Sequence, residues 1–160
     1  MTGITAFGSG WSADLPDVRD FTPTNTEIRT ALGRLKRRRS PRGPKPTTVD
    51  LREYCVPAQA NQPPHAASAE AVLGMLEYFE RRATGRYVER SRSFVQYATQ
   101  RCDGASSGGN CGLRSTLRAV ARFGAPPDRF CPFVATQTEF TPDAFAYQFQ
   151  RDFAGLNYVR

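Results

Sequence analysis

The sequence VDLREYCVPAQANQPPHAASAEAVLGMLEYFERR, residues 49–82, is the part of the chain that decides the fold. It opens with a short extended segment, Val49–Leu51, passes through a loop with a proline pair, and ends in a long amphipathic pattern. Apolar residues recur there at intervals of three and four, which predicts a helix from about Ala66 to Ala83. Its buried stripe is predicted to contain Ala67, Ala71, Val72, Met75, Leu76 and Phe79, and the side chains off the stripe are Glu77, Glu80, Arg81 and Arg82.

The rest of the chain is predicted to add four helices. The first begins near Asn25, because Thr24 and Glu27 have the spacing of a capping box. Two more begin near Ser91 and Leu113, and Gly124 ends the second of these. The last has Thr141 as N-cap, Pro142 in its first turn and a face of Phe145, Phe149, Phe153 and Leu156.

Residues 1–23 form an irregular N-terminal arm. We expect Trp11 and Phe21 to anchor this arm on the domain surface, because large aromatic rings bury well and their polar neighbours do not.

Several of these segments, taken in order, resemble the papain-like cysteine peptidases, including bacterial members. The matching segments are residues 49–52 (VDLR), 77–82 (EYFERR), the glycine loop before 113–117 (LRSTL), 123–127 (FGAPP) before 131–133 (CPF), and 10–20 (GWSADLPDVRD) in the arm. The resemblance implies a predominantly helical α+β chain: the left, helical half of a papain-like fold with an irregular arm. Its parts would be the arm and short helix (1–35), a basic proline-rich linker (36–48) and the helical subdomain (49–160), with the β-rich half absent from the chain.

The resemblance also implies that the site has lost its chemistry. Aligned without gaps from Val49, the family's nucleophilic cysteine falls on Ala67 and its oxyanion-stabilising glutamine on Asn61. A methyl group cannot attack a carbonyl, and the shorter amide cannot hold the ~2.7–3.1 Å distance that an oxyanion donor needs. His65, the only histidine, lies two residues before Ala67, whereas the family's base comes from the β-rich half. We therefore expect no enzymatic activity.

Other assignments of these residues stay open. An engineered Cys-to-Ala change would explain Ala67, but it would not explain Asn61 or the proline pair. A nucleophilic Ser68 is a weaker alternative, because no histidine base lies across a cleft from it. A catalytic Cys55, Cys102 or Cys111 is also weaker, because each of these is expected to pack as a small apolar side chain or to pair with another cysteine. Cys102 and Cys111 flank the glycine loop and could pair in an oxidising compartment, but reduced thiols are the expected state. No metal site and no cofactor are predicted.

A binding role is predicted instead. The family uses its glycine-rich edge to hold extended peptides, so the resemblance assigns Gly108, Gly109 and Asn110, with His65, to a peptide or partner site. A half-fold also leaves one face of the long helix uncovered, and an apolar face of this kind needs a partner. That partner would be a protein or peptide, a second copy, a second chain completing the fold, or a larger assembly.

The net charge of +7 belongs to one short tract. Seven basic residues and no acid lie between positions 34 and 45, and the remainder of the chain is neutral: Arg34, Lys36, Arg37, Arg38, Arg39, Arg42 and Lys45. The tract is either a solvated linker or a contact for an acidic partner, and nucleic acid is a weaker possibility because no aromatic residues are interleaved. With no long apolar run and no signal-like N-terminus, the sequence predicts no membrane association and a cytoplasmic location.

Overall fold

In the computed structural model, helices make up most of the described part of the chain. The structure describes residues 11–18, 20–22, 24–34, 44, 46–55, 66–104, 110–134 and 140–153. Its α-helices are α1 (Thr26–Arg34), α2 (Ala67–Thr84), α3 (Arg92–Asp103) and α4 (Leu113–Phe123). Three 3-10 helices, Arg52–Tyr54, Asp128–Phe130 and Ala144–Phe153, complete the order. No helix among these residues has the length and apolarity to cross a bilayer.

The bounds of α2 and α4 and the start of α3 confirm the predicted helices to within one residue. α2 ends at Gly85 and α4 at Gly124, both with positive φ and with a backbone N–H that donates to the carbonyl four residues back. Ser91 caps α3 by accepting from the Phe94 N–H, the interaction expected of a serine at this position. α1 begins at Thr26. In a capping box the Thr24 hydroxyl would accept the N–H of residue 27, but it instead bonds to the Thr22 hydroxyl.

One core is shared by α2, α3 and α4. Leu73 of α2, Phe94 of α3 and Val120 of α4 are fully buried in it, and small side chains let the helices approach closely. The remaining buried members are Ala69, Val72, Val95, Ala98, Ala119, Ala125, Cys131 and Ala146. Two backbone hydrogen bonds join the segment before α3 to the segment after α4. The Ser91 N–H donates to the Pro126 carbonyl and the Asp128 N–H donates to the Glu89 carbonyl, each at 2.8 Å.

The face that α2 turns to the core differs from the predicted stripe. Ala69, Val72 and Leu73 are buried, and Leu76 is packed against them. The predicted core positions Ala67, Ala71, Met75 and Phe79 are exposed instead. The sequence has two apolar rows on this helix, and α3 and α4 cover the row that contains Leu73.

Glu77 was predicted to lie off the buried stripe, and this prediction is wrong. Its carboxylate is fully buried and receives two hydrogen bonds from the Arg92 guanidinium, at 2.7 and 2.8 Å. The same carboxylate accepts the Arg90 backbone N–H at 2.7 Å. Arg92 also donates to Glu70 at 3.1 Å. Burial disfavours the charge on Arg92, but the hydrogen bonds and charges of Glu77 and Glu70 outweigh it, so the pKa of Arg92 is raised.

Arg90 extends this buried network toward the C-terminal part of the chain. Its guanidinium makes two 3.0 Å hydrogen bonds to the Glu80 carboxylate, donates to the Ala125 carbonyl at 3.0 Å and reaches Asp152 at 3.3 Å. Glu80, predicted to be off the stripe, is thus half-buried in an ion pair. The network links α2 to the segment after α4 and to the last 3-10 helix.

The last element is a 3-10 helix where an α-helix was predicted. It begins at Ala144, and Asp143 accepts the Phe145 N–H at 2.8 Å, so Asp143 takes the capping place predicted for Thr141. Phe145 and Phe149 pack on Phe130, with ring centroids 5.3 and 5.2 Å away.

The predominantly helical class is confirmed, and the described residues contain no β-sheet. Two isolated bridges, Trp11 with Cys111 and Arg90 with Pro127, are the extended pairings present in that part of the chain. Trp11 and Phe21, predicted to anchor the arm on the domain surface, are 46% and 40% exposed, so each is partly covered. Polar contacts also hold the arm, including the Ser12 N–H to the Cys111 carbonyl and the ion pair of Asp20 with Arg114.

Candidate partner-binding site

Most of the predicted site residues lie outside the described part of the chain. Those residues are Asn61, His65, Gly108, Gly109, Lys36, Arg37, Arg38, Arg39, Arg42 and Lys45. Arg34 is the last residue of α1, and Asn110 is exposed just before α4. The assignments of the glycine edge and of the basic tract therefore stay predictions. The part of the candidate site that the structure describes lies mainly on α2.

Ala67 is the first residue of α2, and its methyl group is exposed. The methyl group of Ala67 is therefore accessible at the position where the resemblance puts a nucleophile, whereas Ser68 and Ala69 after it are buried. Ala66 before it is buried and accepts the Glu70 N–H at 2.8 Å, which fixes the first turn. Ser68 is only 3% exposed, so its hydroxyl offers little surface to a substrate. The start of α2 has a helix dipole but no exposed nucleophilic side chain.

Three of the four cysteines lack the environment of a catalytic thiol. None of the four is in a disulfide, and Cys102, Cys111 and Cys131 lie in or against the core, whereas Cys55 is exposed. Burial raises the pKa of Cys111 to about 11, and it also raises the pKa of Cys102 and Cys131. Thiols of this kind stay protonated at neutral pH and react slowly. Within the described ranges, no cluster of three or more His, Cys, Asp or Glu side chains could hold a metal ion.

A continuous apolar row runs along the solvent side of α2, and we call it the α2 row. It consists of Ala67, Ala71, Met75 and Phe79, which are four residues apart and so lie one above the other on the helix. Met75 is 47% exposed and Phe79 56% exposed. The two alanines keep the N-terminal half of the row flat, whereas the long side chains protrude from its C-terminal half.

The C-terminal half of the α2 row is bordered by aromatic and basic side chains. The ring of Tyr78 meets those of Tyr54 and Phe79 edge to face, with centroids 6.0 and 5.3 Å away. Arg82 donates to the Tyr78 hydroxyl at 3.0 Å, and Arg81 donates to the carbonyl of Cys55 at 3.4 Å. The contacts of Tyr54 with Tyr78 and of Arg81 with the Cys55 carbonyl hold residues 52–55 against α2.

Two further apolar side chains, Val49 and Leu51, are 66% and 42% exposed in the same segment. An apolar centre with Met, aromatic and Arg side chains is the composition of a protein-binding surface. The sequence alone does not show that this row is exposed, because α2 has two apolar rows and either of them could face the core.

The chain matches no protein-family model, no curated protein and no solved structure.

Proposed function

We propose that this chain is a catalytically inactive papain-like homologue that acts as a protein-binding or scaffold subunit. The observation that carries the proposal is the uncovered α2 row, which starts at Ala67. Ala67 supplies no nucleophile, and Met75 and Phe79 offer a partner the kind of side chains that anchor protein interfaces.

The proposed partner is a protein that buries the α2 row. Apolar side chains that would otherwise face water provide the driving force, at about 25 cal/mol for each Å² covered. A β-rich chain that completes the fold fits the resemblance, and a second copy or a larger assembly would cover the same face. The basic tract, Arg34 to Lys45, would add attraction to an acidic partner.

The exposed side-chain position of Ala67, in the first turn of α2, also fits a second candidate function. In that reading the chain is the helical half of a working cysteine peptidase, Ala67 replaces its nucleophile, and another chain supplies the β-rich half. A cysteine at the start of α2 would benefit from the helix dipole, as the family's nucleophile does. Nucleic-acid binding through the basic tract is a weaker proposal, and affinity that falls steeply with salt would support it.

Changing the α2 row should weaken partner binding without unfolding the chain. We expect Met75→Asp and Phe79→Asp each to lower the affinity at least about tenfold, because a charge on a buried apolar contact costs more than 1.4 kcal/mol. Arg118→Asp, on the exposed side of α4, is the matched control and should leave the affinity unchanged. Photo-crosslinking residues at 75 and 79 identify the partner, and calorimetry with that purified protein gives the affinities.

Both crosslinking positions should yield the same adduct, and position 118 should not yield it. Equal affinity for the wild type and both aspartate variants would contradict the proposal. Unchanged thermal unfolding of the variants separates lost binding from lost folding.

A further inference from the structure

The acidic side chains of α2 all pair with arginines of the same chain. Glu70 and Glu77 accept hydrogen bonds from the Arg92 guanidinium. Glu80 accepts two from the Arg90 guanidinium. These are the three acidic residues of α2, which the structure describes along its whole length, so the helix keeps no unpaired carboxylate for its solvent side.

The basic side chains in the last turn of α2 have neutral partners. Arg82 donates to the Tyr78 hydroxyl at 3.0 Å, and its guanidinium carbon lies 5.9 Å from the centre of the Tyr78 ring. Arg81 donates to the Cys55 carbonyl at 3.4 Å. Within the described part of the chain, neither guanidinium makes an ion pair. The solvent side of α2 therefore combines an apolar row with positive charge at one end, and such a surface attracts a partner of opposite charge.

Gly74 leaves an open place on this side of α2. It lies three residues after Ala71 and four before Tyr78, so these three positions share one face of the helix. A glycine inside a helix is less favourable than an alanine. A Cβ atom on Gly74 would meet no atom within 4 Å, so packing against the rest of the described chain does not require the missing side chain. A second protein that approaches α2 closely would require it.

The α2 row and the open place at Gly74 have the shape on which another helix packs. The row from Ala67 to Phe79 is about 18 Å long, and side chains four residues apart form a ridge that fits between the ridges of a second helix. Met75 protrudes beside the flat positions Ala71 and Gly74. A helix crossing at this point can take Met75 between its own side chains and place one of its own over Gly74.

We propose that the α2 row binds an amphipathic helix of a partner protein, in which acidic side chains border the apolar stripe. The stripe packs over Gly74 and Met75, and the acidic side chains pair with the arginines of the last turn. This inference rests on the proposed function, in which a protein covers the α2 row, and it adds the structure and the charge of the covering segment. A second copy of this chain fits less well, because its own α2 has no unpaired carboxylate to offer.

Two designed peptides test this inference on the full-length chain. Both are amphipathic helices of the same length as α2, 18 residues, with the same leucine stripe, and the residues beside the stripe are glutamates in one and lysines in the other. We expect fluorescence anisotropy to show at least about tenfold tighter binding of the glutamate peptide, with a preference that shrinks as salt is raised. The double variant Arg81→Glu, Arg82→Glu should remove this preference, whereas Arg118→Glu on the exposed side of α4 should keep it.

The open place is tested separately with Gly74→Gln. The midpoint of thermal unfolding should rise, because glutamine favours a helix more than glycine does and its side chain has room. The affinity for the glutamate peptide should nevertheless fall at least about tenfold, because the new side chain takes the place of the partner's. Gly33 of α1 also has no atom within 4 Å of its Cβ position, so Gly33→Gln is the matched control and should leave the affinity unchanged.

Four results would overturn this inference: equal binding of the two peptides, binding of neither, a preference that survives the arginine reversal, or unchanged affinity in Gly74→Gln. Self-association of the chain that Gly74→Gln abolishes would also overturn it, because the face would then belong to a second copy. The proposed function fails on other evidence. If Met75→Asp still weakens binding of the crosslinked partner, a protein covers the α2 row even where the acidic helix is refuted.

Discussion

Replacing Glu77 with alanine should lower the free energy of unfolding by about 3–5 kcal/mol, the cost of removing one partner of a buried ion pair. The change leaves the buried Arg92 guanidinium with Glu70 as its one carboxylate partner beside the Arg90 carbonyl, and it removes the Glu77 oxygen that accepts the Arg90 N–H. Urea unfolding followed by circular dichroism measures the loss. Glu77→Gln should cost less, because the amide oxygen still accepts one of these hydrogen bonds.

The chain offers a matched control at its surface. Arg52 and Asp50 make a similar fork-shaped ion pair, with the shortest N–O distance 2.6 Å, but their side chains are 89% and 52% exposed. Asp50→Ala should therefore leave stability unchanged within error, since water already solvates both charges. Similar losses of unfolding free energy in Asp50→Ala and Glu77→Ala would contradict this prediction, because burial would then not set the strength of the two ion pairs.

Gly124→Ala should destabilise the chain by at least about 3 kcal/mol. Gly124 has φ 76° and ψ −166°, a conformation that only glycine adopts readily. An added Cβ atom would also overlap the Phe149 carbonyl oxygen, so the last 3-10 helix would have to move away. Thermal unfolding should show the loss, and near-ultraviolet circular dichroism should show a weaker aromatic signal from the displaced Phe149.

Gly85→Ala measures the cost of left-handed backbone strain without the steric overlap that Gly124→Ala adds. Gly85 ends α2 as Gly124 ends α4, with φ 71° and an N–H that donates to the carbonyl four residues back. Its Cβ position meets nothing within 4 Å, so alanine there should cost only the left-handed strain of about 1–2 kcal/mol. If Gly85→Ala and Gly124→Ala lowered the free energy of unfolding equally, the overlap with Phe149 would add nothing to the cost of Gly124→Ala.

The helix bounds could be predicted because their signals are local. Ser91 caps α3 through an N–H three residues away, and Gly85 and Gly124 end their helices with their own φ values. The rotation of α2 could not be predicted in the same way. Its Leu73 row and its Met75 row have similar apolar character, and only packing against α3 and α4 decides which of them is buried.

The burial of Glu77 with its arginine partners could not be predicted from the sequence for a related reason. Glu77 follows Leu76 and looks like a surface residue when the Met75 row is taken as the core face. Its partners, Arg90 and Arg92, come from the start of α3, more than a dozen residues later, so no helical spacing indicates them. The cap of α4 was missed too, because Gly112 receives its carboxylate from Asp14, about a hundred residues away in sequence.

Of the candidate site, the resemblance assigned Ala67 to the family's nucleophile position, and this assignment stays a prediction. The resemblance also predicted an uncovered face on the long helix, where the structure shows Met75 and Phe79 47% and 56% exposed. The periodicity had assigned this row to the core. The geometry of Asn61 and His65 lies outside the described residues, so their roles stay predictions.

The most direct test of the central claim is a hydrolysis assay of the purified chain with a mixture of quenched fluorescent peptides. We expect no turnover by the wild type, and none by Ala67→Cys, because a thiol at this position has no histidine across a cleft to take its proton. Turnover by the wild type that a thiol-blocking reagent abolishes would contradict the account. Turnover that appears only with Ala67→Cys would contradict it as well, since a single methyl group would then separate this chain from a working peptidase.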